Sequence, residues 1–423
     1  MRRGAVRQTV AVVGGGCSGV LVARELLRCS DDRVVLIEPG EPGGGVAYGS
    51  AKPWHVLNSR AGAMSAAADD PGHFARWAGA APAEFRPRAE YGRYLRAVLD
   101  EAVTAHPGRL QLRQGRAERI GAAGEVVLEG GGSVRADHVV LATGGPAPVR
   151  QRLDHPNVID DPWRAGVLEA LPQDRPVLLV GTGLTAVDAA LTLTADGRRS
   201  APVVAVSRRG LLPLTHTAEA APPHAPALDD CATLRDVVRA VRSAVGESGD
   251  WRAVVDGMRP SLDRLWTAFT ADEQDAFLRH LSRTWECHRH RMAPEIAARV
   301  VELRSSGLLE IRRGGVAAWP GLADYAAVVN CAGPGKLPGS AGPLVRSLLD
   351  SGQAQVGPHD LGLAIDPAGR VIAADGRVRE RLWLIGPLRR GTQWETTAVP
   401  EIRAQAHRLA GDLRPGPVLA EVA

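Results

Sequence analysis

The chain has 423 residues, too many for one hydrophobic core, and its 45% hydrophobic and 23% charged content is ordinary for a soluble globular protein of two domains. A net charge of +4 without any dense basic run disfavours nucleic acid as a partner, and no stretch approaches the ~20 apolar residues that span a bilayer. The five cysteines, Cys17, Cys29, Cys231, Cys287 and Cys331, form no CxxC, which argues against a disulfide framework, a zinc site and a redox-active dithiol. Arginine supplies 49 of the 51 basic residues, a bias that fits GC-rich coding. The basic start Met1-Arg-Arg-Gly precedes an apolar run that glycines break too early for a signal peptide, so a cytoplasmic location is expected.

The first element is an apolar strand, Thr9 to Val13, running into Gly14-x-Gly16-x-x-Gly19 and an apolar stretch at helical spacing, Val20 to Leu27. Gly14 permits the tight turn, Gly16 lets backbone approach a pyrophosphate, and Gly19 lets helix and strand pack closely. Cys17 and Ser18 fill the intervening positions, where small residues are tolerated. The next apolar run ends in Glu38, 19 residues after Gly19, placed to accept hydrogen bonds from ribose hydroxyls. Strand, glycines, helix and acid in register predict a dinucleotide site whose pyrophosphate rests on the helix N-terminus.

A glycine-rich loop follows, including Gly45 and Tyr48, and then Trp54 to Ser65, which has no clean period and suits a loop lining a pocket. Helices are expected from Asp70-Pro71 through Trp77 and over Tyr91 to Val98, then short strands with a glycine turn between Leu110 and Glu129. The strand His138 to Leu141 ends in Thr143-Gly144.

A second strand–glycine turn–helix follows at Pro176 to Ala190, with Gly181, Thr182, Gly183, Leu184 and Thr185 in the turn and Ala186 in place of the third glycine. Its next strand ends in Ser207, Arg208 and Arg209 where the first site has Glu38. A carboxylate repels a 2′-phosphate; hydroxyl and guanidinium bind one, so the first site is assigned to FAD and the second to NADPH. Residues 222–310 read as mostly helical, an insertion or cap. Within them His288-x-His290 points to opposite helix faces and has no acid or Cys partner in view, so no metal is expected. Two further strands, Val328 to Ala332 and Leu382 to Ile385, end in glycine. The fold class is therefore α/β with two Rossmann-like domains. An FAD domain of residues 1–155 and 320–423 is interrupted by an NADPH domain of 156–319 that carries the helical insertion.

These motifs, with Gly43–Tyr48, Leu57-Asn58 through Met64-Ser65, Tyr91-Gly-Arg-Tyr94, Ser207 through Pro213, His288–Pro294 and Gly386 through Arg403, span nearly the whole chain. Taken together the chain resembles the bacterial FAD- and NAD(P)-dependent monooxygenases that include aspartate N-hydroxylases (nitrosuccinate synthases) and a flavin-dependent urate hydroxylase. These are distantly similar to ornithine and lysine N-hydroxylases. The resemblance implies that NADPH reduces FAD, that O₂ adds to the flavin C4a, and that the hydroperoxyflavin gives its distal oxygen to a small-molecule nucleophile. The protein's part is to position cofactors and exclude water. It also implies that Tyr48, Asn58, Met64 and Trp394 lie near the isoalloxazine or its substrate face, with Asn58, Met64 and Trp394 the catalytic candidates. Gly45, Thr143, Gly144, Gly386, Pro387 and Thr396 complete the FAD contacts. His55, Arg60 and Arg291 are the candidate substrate contacts, an Arg being what a carboxylate-bearing substrate requires. N-hydroxylation of an amino acid or related small amine is favoured. C-hydroxylation of a urate-like ring, an NADPH–flavin reductase serving another acceptor, and a non-catalytic flavin-binding partner stay open. The oligomeric state is not readable.

Overall fold

The structure, a computed structural model, describes residues 7–413 apart from residue 122; the N-terminal Met1-Arg-Arg-Gly stretch weighed above lies outside them. Two parallel sheets organise the chain. The first has six strands in the order Arg370–Ile372, Val378–Leu384, His138–Leu141, Thr9–Val13, Arg33–Glu38, Leu110–Gln114, all parallel but for the antiparallel edge strand 370–372. The second has five parallel strands in the order Leu309–Arg313, Val203–Ser207, Val177–Val180, Ala327–Asn330, Val158–Ile159. Their central strands are apolar throughout because helices or loops cover both faces.

On one face of the first sheet pack the helices Cys17–Cys29, Arg88–Ala105 and Val399–Asp412, joined by Tyr91, Tyr94 and Phe74, which are fully buried. The other face carries the meander of strands Ala117–Ile120, Glu125–Leu128 and Ser133–Arg135 and the helix Pro343–Asp350. Chain ends far apart in sequence thus share one core, as the paired N- and C-terminal glycine signals require.

Two boundaries differ from the sequence reading. The return to the first sheet is expected near residue 320, yet Ala327–Asn330 pairs with Val177–Val180 in the middle of the second sheet, so the crossing falls after Asn330. The four residues are all buried, as a central parallel strand requires. The helical insertion is expected to run to about 310, but helix Pro294–Ser305 places Val300 and Leu303 in the second sheet's core and feeds strand Leu309–Arg313. It is that sheet's crossover helix. The insertion proper comprises Leu234–Ser248, Trp251–Gly257, Leu262–Ala268, Ala271–Ala276, a π-helical turn at Phe277–Leu281, and Ser282–Arg289. Among the described residues no helix is long and apolar enough to cross a membrane.

Candidate functional site: two glycine cradles

The first glycine turn lies at the carboxyl ends of the first sheet's strands, where open α/β sheets bind ligands. Gly14 has φ +102°, and a Cβ on it would stand 2.4 Å from the Ala142 carbonyl oxygen. A Cβ on Gly19 would stand 1.8 Å from the Gly14 carbonyl oxygen, so only glycine lets the helix start this close to the strand. Gly16 differs: its φ is an ordinary −70° and its Cβ would have only the Gly45 backbone near, at 3.6 Å. Among the described residues only the Gly45 backbone comes within 4 Å of that position, which leaves the kind of open cradle a pyrophosphate needs.

The residues around this turn come from several segments. The Glu38 carboxylate accepts from the Gly15 N–H at 2.6 Å and the Gly40 N–H at 3.1 Å. Gly386, at φ +82°, leaves room for the Ser18 hydroxyl, 2.7 Å from where its Cβ would be. Gly144 also has positive φ, and Gly145 packs on Pro387. Burial pushes the Cys17 thiol up to about 12 against the effect of the nearby Tyr91 hydroxyl, so Cys17 is a neutral packed side chain. Tyr48 lies edge-on to Tyr91 with ring centroids 4.8 Å apart. The Tyr94 hydroxyl accepts from the Ala66 N–H at 2.9 Å, which fixes the segment holding buried Met64. The Thr396 hydroxyl is fully buried without a partner among the described residues, an orphan acceptor and donor that fits a bound group.

The second turn repeats the geometry. Gly181 has φ +122° with the Cys331 carbonyl oxygen 2.3 Å from its Cβ position, and Gly183 is the N-cap of helix Leu184–Leu193, whose first turn includes Thr185. Thr182 donates to the Leu211 carbonyl and lies 2.8 Å from the Ser207 hydroxyl, tying the two strand ends together. Arg208 is exposed at the end of its strand. Arg209 is not free to swing: it donates to the carbonyls of Arg279 and His280, both at 3.2 Å, in the insertion's π-helical turn.

The helical insertion closes over the C-terminal loop. The Asp263 carboxylate accepts from the N–H groups of Trp394 and Glu395 at 2.9 and 3.1 Å. Arg289 pairs with buried Glu395 at 3.1 Å, Arg259 with Glu401, and Arg390 with Glu286 at 2.6 Å. Burial alone would raise the Glu286 carboxyl, but His290 and Arg390 outweigh it and hold it down at about 2. Trp394, expected near the flavin, also packs in the joint between cap and loop: Trp266 lies 4.8 Å away, Phe277 4.9 Å, and the Arg390 guanidinium 4.3 Å over its ring.

Of the three expected substrate contacts, His55 is buried and both ring nitrogens are taken. Nδ1 accepts from the Lys52 N–H and Nε2 donates to the Thr192 hydroxyl at 2.9 Å. With the Arg88–Asp188 ion pair it locks helix Leu184–Leu193 to the first domain, so it is a domain tie and not a substrate contact. Arg60 lies over Phe85 and donates to the carbonyls of Ala83, Thr217 and Ala218. Arg291 is buried against Asp256 and Trp251, and its Nε has no partner among the described residues.

His216, which no sequence signal marked, joins these groups. Its Nε2 donates to the Asn58 carbonyl at 3.1 Å. Burial first, then the charge of Arg291, lowers its pKa to about 4, so the imidazole is neutral and Nδ1 presents a lone pair. Because the unfolded chain takes up a proton near pH 6.5 and the folded one only near 4, this group's contribution is full above pH 6.5 and is lost as pH falls to 4. A loss of about 3 kcal/mol is expected over that interval. Urea unfolding from pH 7 to 4 checks it: His216→Gln must flatten the dependence, and an unchanged slope would refute it.

The remaining titratable grouping with metal-ligand spacing among the described residues is Glu25, Cys29 and His407. Burial would raise the Glu25 carboxyl, but Arg28, His407 and Arg24 together hold it below the usual carboxylate range. With two guanidinium partners it is an ionic joint between helices Cys17–Cys29 and Val399–Asp412.

Comparison with known proteins supplies the class of ligand. Residues 11–146 match the family model described as FAD-NAD(P)-binding. No curated protein sequence matches the chain. Among solved structures it is similar to ornithine hydroxylase from Pseudomonas aeruginosa, with 14% identity, 96% of this chain and 98% of that one covered, and a TM-score of 0.58. The cadaverine monooxygenase of the desferrioxamine pathway from Erwinia amylovora, bound to FAD, gives 13% identity, coverages of 97% and 94%, and a TM-score of 0.62. Lactococcus lactis thioredoxin reductase gives 13%, 96%, 97% and 0.50. At these identities the likeness is one of fold, and it extends over nearly the full length of each neighbour.

Proposed function

We propose that this protein is an FAD- and NADPH-dependent monooxygenase that N-hydroxylates an amino acid or related small amine. The observation that carries the reading is the pair of glycine cradles, one at the carboxyl edge of each sheet. Likeness to ornithine and cadaverine monooxygenase structures over almost their whole length supports it. The fold is also like that of a thioredoxin reductase, but this chain's five cysteines are free and form no CxxC pair that could act as a redox dithiol.

When bound, the flavin would supply reduction of O₂ and transfer of one oxygen atom. The residues' own share is to hold and shield it. Gly14, Gly16, Gly19 and Glu38 seat the FAD phosphates and ribose, with Gly45, Tyr48, Thr143, Gly144, Gly386, Pro387 and Thr396 around it. Gly181, Thr182, Gly183, Leu184, Thr185, Ser207 and Arg208 frame NADPH, while Arg209 braces the insertion's π-helical turn beside them. Asn58 and Met64 line the substrate side, where Arg60 and the Arg291–Asp256 pair supply guanidinium groups and neutral His216 adds no charge. A guanidinium there favours a carboxylate and disfavours an ammonium, which leaves the amine nucleophilic. The ion pairs of the cap exclude water from the oxygen-transfer step.

Rapid mixing tests the reading. NADPH-reduced protein mixed with oxygenated buffer, NADP⁺ present, should show a transient absorbing species before the oxidised flavin returns, and an amine substrate should speed its decay. Fast electron delivery to an artificial acceptor, with no transient and with stoichiometric peroxide whatever amine is added, would favour a reductase.

A further inference from the structure

The second glycine turn carries a cation delivered by the helical insertion. Arg283 lies in helix Ser282–Arg289. Its Nη2 donates to the Thr182 carbonyl at 3.2 Å and the Thr182 hydroxyl at 3.3 Å, and also to the Leu211 carbonyl. Its Nη1 stands 3.9 Å from the Cβ position of Gly183. Gly183 begins helix Leu184–Leu193, whose first turn has no acidic residue and whose N-cap makes no side-chain hydrogen bond. Every acceptor Arg283 has among the described residues is uncharged.

Two positive ends therefore face each other: a guanidinium, and the unpaired N–H groups of a buried ten-residue helix. Without an anion between them the arrangement is electrostatically unfavourable; with one it is a clamp. The neighbouring arginines are placed for other tasks. Arg209 braces the π-helical turn immediately before Arg283, and exposed Arg208 stands at the end of the adjacent strand, on the side where the ribose of a dinucleotide would lie.

We propose that Arg283 closes the second site over the pyrophosphate of the bound nicotinamide dinucleotide, so that the helical cap is itself part of the cofactor site. On binding, the guanidinium exchanges neutral carbonyl acceptors for phosphate oxygens. The pyrophosphate is common to NADPH and NADH, whereas Arg208 serves the 2′-phosphate that only NADPH has. This rests on the NADPH reading of the second turn.

The test is calorimetric titration of the FAD-loaded protein with NADP⁺ and with NAD⁺. Arg283→Gln should weaken both by a similar factor, about tenfold or more, since a hydrogen bond to a charged group is lost. Arg283→Lys, which keeps the charge but not the fork and guards against a folding defect, should fall between. Arg208→Gln should weaken NADP⁺ alone. Arg283 variants that bind both ligands like the unaltered protein would overturn the proposal, and so would a loss confined to NADP⁺. If the unaltered protein binds neither ligand, the NADPH reading falls first and this inference falls with it.

Discussion

Gly16→Ala is expected to fold normally and to lose FAD. The prediction turns on a difference among three glycines of one turn. At Gly14 and Gly19 an added Cβ meets backbone oxygen at 2.4 and 1.8 Å, so alanine there disturbs the strand–helix packing itself. At Gly16 the backbone already sits where any residue can, and the nearest atom to a Cβ is 3.6 Å away. The methyl group therefore costs the protein nothing and occupies only the space above the turn. If that space belongs to a pyrophosphate, overpacking it by a methyl costs about 1–3 kcal/mol, a rise in the FAD dissociation constant of roughly fivefold to 150-fold. Bound flavin after purification, read by absorbance, and the thermal midpoint of the flavin-free protein measure the two halves. Gly16→Ala retaining full flavin affinity would sink the assignment, while Gly19→Ala should lower the midpoint whether or not flavin is present.

Arg289→Met is expected to destabilise the protein by about 3–5 kcal/mol, because it strands the buried Glu395 carboxylate. The pair lies in the joint between the cap and the C-terminal loop, beside the two N–H groups that Asp263 accepts. Replacing both partners removes the uncompensated charge, so Arg289→Met with Glu395→Leu should recover most of the loss. Tryptophan fluorescence during urea unfolding reads the joint directly, since Trp266 and Trp394 stack within it. A single variant that costs under about 1 kcal/mol, or a double variant worse than the single, would show that the ion pair does not hold the cap.

The cradles were legible in the sequence because their chemistry is local. Gly14, Gly16 and Gly19 act within one turn, and strand, turn and helix are contiguous. The Ser207-Arg208-Arg209 contrast with Glu38 was legible for the same reason. The packing around Trp394 was not legible, because its motif reports a family resemblance and not its neighbours: Trp266 and Phe277 lie more than a hundred positions earlier. His55 was misread likewise, since its partners Thr192 and Asp188 belong to another sheet's helix. His216 and Arg283 had no signal at all. A lone His in a loop, or one more arginine among 49, gains meaning only from what stands opposite it.

By itself, then, the sequence determined the α/β class, the two glycine turns and the discontinuous first domain, because period, glycine spacing and apolar runs are set by neighbours along the chain. The tertiary structure alone decided the return after Asn330, the packing around Trp394, the neutrality of His216 and the reach of Arg283 to Thr182. Each depends on electrostatics, burial or a hydrogen bond between segments that only folding brings within a few ångströms.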